Sequence, residues 1–115
     1  MSDLHVEGMG VATNVVETIV SIAASSVEGV AGVDAGAPHG VRALLRTRPV
    51  TQGIRVEEAE DGSLHVSVRI VAQYGTVLPD LAKEVREAIA DAVSTQVGAT
   101  VGTVDVYIDG IRFDR

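Results

Sequence analysis

The stretch "GIRVEEAEDGSLHVSVRIVAQYG" (residues 53–75) decides the fold. Apolar side chains fall at Ile54 and Val56, then at Leu64, Val66, Val68, Ile70 and Ala72, a period-two alternation that buries one face of two successive strands. Asp61-Gly62 marks the turn between them, and the loop length sets the register. A two-residue loop would place Val56 opposite Ser67 and send the two apolar sets to opposite faces. A three-residue loop, Glu60-Asp61-Gly62, places Ile54 opposite Val68 and Val56 opposite Val66, the type I turn with a glycine bulge expected of odd loops. The second arrangement gives one buried face and is the one expected.

Downstream, Leu78, Leu81, Ala82, Val85, Ile89, Ala92, Val93 and Val97 recur at helical spacing, which predicts a helix over residues 79–97. Pro79 suits its first turn and Asp80 its positive end; Gly98 closes it. Lys83, Glu84, Arg86, Glu87 and Asp91 form the polar face, with Lys83 and Glu87 spaced to pair. The segment "TVGTVDVYIDGIRF" (residues 100–113) alternates again, with Val104, Val106 and Ile108 inward and Asp105, Tyr107 and Asp109 outward. A strand that follows a helical crossover runs parallel to its partner if the crossover is right-handed.

Upstream, Asn14-x-x-Glu17 has capping-box spacing, and Val16, Ile19, Val20, Ala23 and Val27 follow with helical periodicity. Val15 and Ile22 widen that stripe, so a well-covered helix is expected to end near Glu28, with Gly29 as its stop. Residues 1–9 read as a flexible arm, with a short extended piece at Gly10-Val11-Ala12, and residues 10–115 as a single domain. Residues 34–49, punctuated by Gly, Pro and His, read as a surface loop with its arginines exposed. The order helix-strand-strand-helix-strand predicts an α/β (α+β) two-layer sandwich, a three-stranded sheet with two helices on one face.

A chain of 115 residues suits one domain, and 46% apolar content is enough for it to fold. With one Phe, two Tyr and no Trp, the core must be built of Val, Ala, Ile and Leu, which favours close helix-on-sheet packing over a large ligand cavity. The lack of cysteine excludes disulfides, thiol nucleophiles and cysteine zinc sites. The start, MSDLHVEGMG, has no signal-peptide pattern. The most apolar helical stretch, Val15 to Val27, contains Glu17 and is shorter than the roughly 20 residues a membrane span needs. A cytoplasmic protein is expected, without direct membrane insertion; association with a membrane would run through a partner.

Formal net charge is −7, which repels nucleic acid at long range. No chemistry-bearing motif stands out. His5, His39 and His65 lack ligand spacing, there is no Gly-x-Ser-x-Gly and no P-loop, and Glu57, Glu58, Glu60 and Asp61 read as a solvated hairpin tip. No catalytic, cofactor or metal site is expected. An enzyme with a small acidic site at that tip is the least favoured class. Gly29-Val30-Ala31-Gly32 has the spacing of the K-homology RNA clamp, and Arg42, Arg46 and Arg48 are the candidate anion contacts that would accompany it. The inner residues are apolar and Glu28 and Asp34 flank them, so a helix stop explains the stretch with less.

Four motifs in order carry a family resemblance. "GVATNVVETIVSIAASSVEGVAGV" (10–33), with its Val-x-Gly-Val turn, resembles the opening of the alkaline shock protein family of envelope stress response proteins. "QGIRVEEAEDGSLHVSVRIVAQYGTVLPDLAKEVREAIADAV" (52–93) resembles its hairpin, Tyr-Gly strand end and second helix, and "VGTVDVYIDGIRF" (101–113) its last strand. The resemblance spans about residues 8–113. It implies a small, non-enzymatic, cytosolic bacterial protein linked to envelope stress, self-associating as a homo-oligomer and held at the inner membrane face by a separate membrane-anchored protein. It implies no catalytic residues. Arg86, where glutamine is frequent, and the arginine-bearing 41–48 loop depart from the pattern and bear on partner choice. The sheet face away from the helices would carry Arg55, His65, Ser67, Arg69, Val71, Asp105, Tyr107 and Asp109. Of these Arg55, Arg69, Val71 and Tyr107 are the candidate protein-interaction residues, since Arg and Tyr are frequent interface anchors.

Overall fold

The computed structural model describes residues 3–6, 8–33 and 53–113. Strands β1 (Leu4–Val6) and β2 (Met9–Val11) lead into helix α1 (Thr13–Ser25) and strand β3 (Val30–Val33). Strands β4 (Ile54–Glu58) and β5 (Leu64–Gln73) follow, then helix α2 (Leu78–Gln96) and strand β6 (Val101–Arg112). β5 is the spine of the main sheet. Its residues 64–68 pair antiparallel with β4, its residues 70–72 pair antiparallel with β3, and its whole length pairs parallel with β6. β3 and β4 therefore sit in tandem on one edge of β5, and β6 occupies the other.

The hairpin takes the three-residue loop. Ile54 lies opposite Val68 and Val56 opposite Val66, and Gly62 adopts φ +88°. The turn is closed by Ala59 N–H donating to the Ser63 carbonyl (2.8 Å) and Gly62 N–H to the Ala59 carbonyl (3.0 Å). The Ser63 hydroxyl (2.7 Å) and N–H (3.0 Å) both donate to Asp61 Oδ1. These bonds, the hydroxyl's first, hold the Asp61 carboxyl below its ordinary value because they favour the charged acceptor. A depressed carboxylate stabilises the fold above its unfolded pKa, and that contribution fades as the pH falls through the folded pKa. Ser63→Ala is expected to move the Asp61 pKa upward toward the value of a free aspartate, read by carboxyl-carbon NMR titration; an unmoved midpoint would refute the assignment.

The expected α2 stripe is the one that packs. Leu81, Val85, Ile89, Val93 and Val97, four residues apart, are buried, with Leu78 and Ala92 at the margin. Gly98 (φ +85°) closes the helix by donating to the Val93 and Ser94 carbonyls at 3.2 and 3.1 Å. From the sheet come Ile54, Val56, Leu64, Val66, Val68, Ile70 and Ala72, and from α1 Val16, Val20, Ala23 and Ala24. Every buried apolar side chain is aliphatic. The helices pack against each other, α1 also against β3 and β4 and α2 against β6, which is the two-layer arrangement predicted.

Several local expectations are corrected. The Asn14–Glu17 capping box does not form: Ala12 is the N-cap, and Asn14 lies within α1, its carbonyl accepting from the Thr18 hydroxyl at 2.8 Å. The helix ends at Ser25, before Glu28, with the Ser26 hydroxyl bonded to the Ala23 carbonyl. Val15 and Ile22, expected to widen the buried stripe, are exposed among the described residues, Ile22 at the rim of a groove between α1 and α2. Residues 4–11, read as part of an arm and a short extended piece, form a hairpin with Leu4 opposite Val11, and both side chains enter the core. To the three expected strands the structure adds β3. It is short and irregular, its ladder shifting register between Val30 and Gly32, so no alternation announces it.

Candidate interaction surface

The helix-free face of the sheet is laid out by register. Arg55, Ser67 and Asp105 form one cross-strand row, Arg69 and Tyr107 the next. Arg55, Arg69, Ser67 and Tyr107 line a shallow depression together with Gly53 and Ile54, and the Gly53 carbonyl accepts the Arg69 N–H at 3.0 Å. Val71, half-buried, sits opposite Gly110 after a register shift that gives Asp109 an extra place in β6. Four of the sequence-predicted contact residues are thus on one face, three of them around one depression.

The two arginines on this face each stand near a carboxylate, and His65 is hydrogen-bonded to Asp105. His65 Nε2 lies 2.9 Å from Asp105 Oδ2, Arg69 3.6 Å from Asp109, and Arg55 3.8 Å from Glu57. His65 bridges two strands to Asp105, 40 positions along the chain. Paired exposed charges of this kind contribute little stability, about 0–1 kcal/mol each. They do make the face an alternation of opposite signs rather than a basic track for a phosphate backbone.

The glycine pair is no clamp between helices. Gly29 (φ +103°) turns the chain out of the helical region and Gly32 lies in β3, paired with Val71. Arg42, Arg46 and Arg48, along with the rest of the 34–49 loop and His39, fall outside the described residues. Among the described residues no group of three or more His, Cys, Asp or Glu could hold a metal ion, and no helix is long and apolar enough to cross a membrane.

The chain has three aromatic residues, and all three are on the surface: Tyr107, expected there, is 52% exposed, and Tyr74 and Phe113, which sequence reasoning did not single out, are 69% and 71% exposed. The Tyr74 and Phe113 rings meet edge to face, 5.0 Å between centroids, beyond the last residues of β5 and β6, where Tyr74 N–H donates to the Arg112 carbonyl at 2.9 Å. Ile111 is exposed on β6 just before them. Aromatic side chains carry more apolar area than any others, so leaving all of them outside an aliphatic core is a cost that contact with another surface would offset.

The model of the alkaline shock protein 23 family, described as having a cell envelope-related function, matches residues 3–113. The chain belongs to that family. Among its family relatives, YqhY of Bacillus subtilis (strain 168) is 30% identical over 112 residues, covering 97% of this chain and 82% of YqhY. YloU of the same organism is 27% identical over 73 residues, covering 64% of this chain and 60% of YloU. Among solved structures, a MamM CTD variant superposes with a TM-score of 0.51 at 18% identity, covering 84% of this chain and 95% of that one. A nickel form of a MamM CTD variant gives 0.52 at 17% identity, over 85% and 98%. At such identities these likenesses concern the fold of the family member alone.

Proposed function

We propose that this family member is a non-enzymatic cytoplasmic scaffold that self-associates and docks a membrane-anchored protein at the inner face of the cell membrane. The docking residues are Arg55, Arg69, Val71 and Tyr107 on the helix-free face of the sheet. The observation that carries this reading is the exposure of Tyr107 beside Arg69, with Arg55 one strand further on, around one depression of the sheet face. Tyrosine and arginine give large contact area and directional bonds, the combination that dominates interface energetics. The cell envelope-related description of the family supports the location.

A photo-crosslinking residue at position 107, compared with one at Glu87 on the exposed side of α2, tests it in the source cells. The expected result is an adduct with an integral membrane protein from position 107 only, in nuclease-treated and untreated extracts alike. The double variant Arg69→Ala/Tyr107→Ala should bind that partner at least ~30-fold more weakly, about 2 kcal/mol, while keeping its melting temperature. Adducts formed equally from Glu87, or only with RNA-bound proteins in the untreated extract, would overturn the reading.

A further inference from the structure

The two edges of the sheet are treated differently. On the β4 edge, Ile54 and Val56 are buried under α1. On the β6 edge, Val104, Val106 and Ile108 remain half-buried, although their in-register neighbours Val66, Val68 and Ile70 on β5 are fully covered. β6 runs for 12 residues and, among the described residues, pairs with β5 alone. Edge strands are normally short or capped because their free N–H and C=O groups recruit other strands.

We propose that β6 pairs antiparallel with β6 of a second copy, about a two-fold axis through Val106, joining two sheets into one with both helical layers on the same side. This rests on the reading that the chain self-associates, and it names the surface and the register. A two-fold axis normal to the sheet pairs residues of like facing. Uninterrupted alternation runs from Thr103 to Ile108, between the register shifts at Gly102 and Asp109, so the longest symmetric ladder within it centres on Asp105 or Val106. Centred on Asp105, that carboxylate would face itself. The Val106 centre sets no acid against an acid: Asp105 faces Tyr107, a pair that occurs twice. On the helix side, Val106 then meets Val106 and Val104 meets Ile108, extending the aliphatic row that β6 leaves half-covered. Like charges directly opposite one another are unfavourable in a ladder, so the acids select the register as well as blunt the edge against other strands.

The chain has no cysteine, so single cysteines report the geometry cleanly. In the Val106→Cys variant of the full chain the two thiols would face each other with Cβ atoms about 4.5–5.5 Å apart. In Tyr107→Cys the two copies would be offset by two residues, about 8 Å between Cα atoms, beyond the ~7 Å a disulfide spans. Sedimentation should show a reversible dimer or larger assembly for the unmodified chain. Mild oxidation should give at least ~10-fold more disulfide dimer for Val106→Cys than for Tyr107→Cys. Tyr107→Asp, which puts acid against Asp105 on an exposed position, should weaken association, and Tyr107→Lys should strengthen it. An assembly in which Tyr107→Cys crosslinks as well as Val106→Cys, or in which neither does, would overturn the β6 register while leaving self-association standing. A monomer at every concentration tested would overturn both.

Discussion

Ile70→Ala is expected to remove about 3–5 kcal/mol of stability, whereas Ile108→Ala, one strand away in the same cross-strand row, should cost about 1–2 kcal/mol. The two positions share chemistry, strand propensity and facing, so the difference isolates coverage. Ile70 sits in the central strand with β3 on one side and β6 on the other, and no part of it reaches solvent. Removing three carbons there loses their transfer free energy and leaves a cavity that a packed aliphatic core collapses around only partly. Ile108 is half-covered, and water can enter the space its truncation opens. Urea unfolding at low protein concentration measures both. Against a total stability of about 5–15 kcal/mol for a domain of this kind, the Ile70 loss is large enough to populate unfolded chain at 37 °C. If the two losses were equal at that concentration, the described exposure of the β6 edge would be wrong.

Gly29→Ala should cost about 2–4 kcal/mol, while Gly32→Ala, three residues on, should change stability by less than about 1 kcal/mol. Gly29 has φ +103°, a backbone region that a side chain makes strained, at about 1–3 kcal/mol. A β-carbon there would also stand 3.0 Å from Thr76 Cγ2 and 3.2 Å from Leu81 Cδ1, so those two side chains would have to give way. Its carbonyl accepts the Gln73 N–H at 2.8 Å, tying the exit from α1 to the end of β5, and the strain cannot be relaxed without loosening that bond. At Gly32 nothing lies within 4 Å of the added carbon and φ is not positive. An RNA clamp would need both glycines bare for phosphate approach; a helix exit needs only the first. Thermal or chemical denaturation of the two variants separates these roles, and equal losses would reopen the clamp.

What could be read from the linear chain and what could not follows from the range of the interactions involved. The hairpin register was legible because alternation and the turn dipeptide are both local, and only one loop length satisfied both. The α2 stripe was legible for the same reason, its apolar residues returning every four positions for five turns. β3 was not, since Val30-Ala31-Gly32-Val33 has no alternation of its own and becomes a strand only because β4 leaves the end of the β5 edge vacant. The N-terminal hairpin was hidden likewise: two three-residue strands are too short to announce themselves, and they are held by burial of Leu4 and Val11.

The candidate surface divides along the same line. Facing along a strand is a local property, so alternation alone assigns Arg55, Arg69, Val71 and Tyr107 to one side. Their grouping around one depression, the bond from His65 to Asp105 and the meeting of Tyr74 with Phe113 depend on which strands lie side by side and in which register. Those depend in turn on a helical crossover that returns β6 parallel to β5. The exposure of Val15 and Ile22 is the complementary case: periodicity marks the residues a helix could bury, but the packing partners decide which of them it does. Composition alone required an aliphatic core, because three aromatic residues in 115 are too few to build one. Alternation already turns Tyr107 outward; that Tyr74 and Phe113 also lie outside the core, ring against ring at the ends of β5 and β6, was decided only when the chain closed on itself.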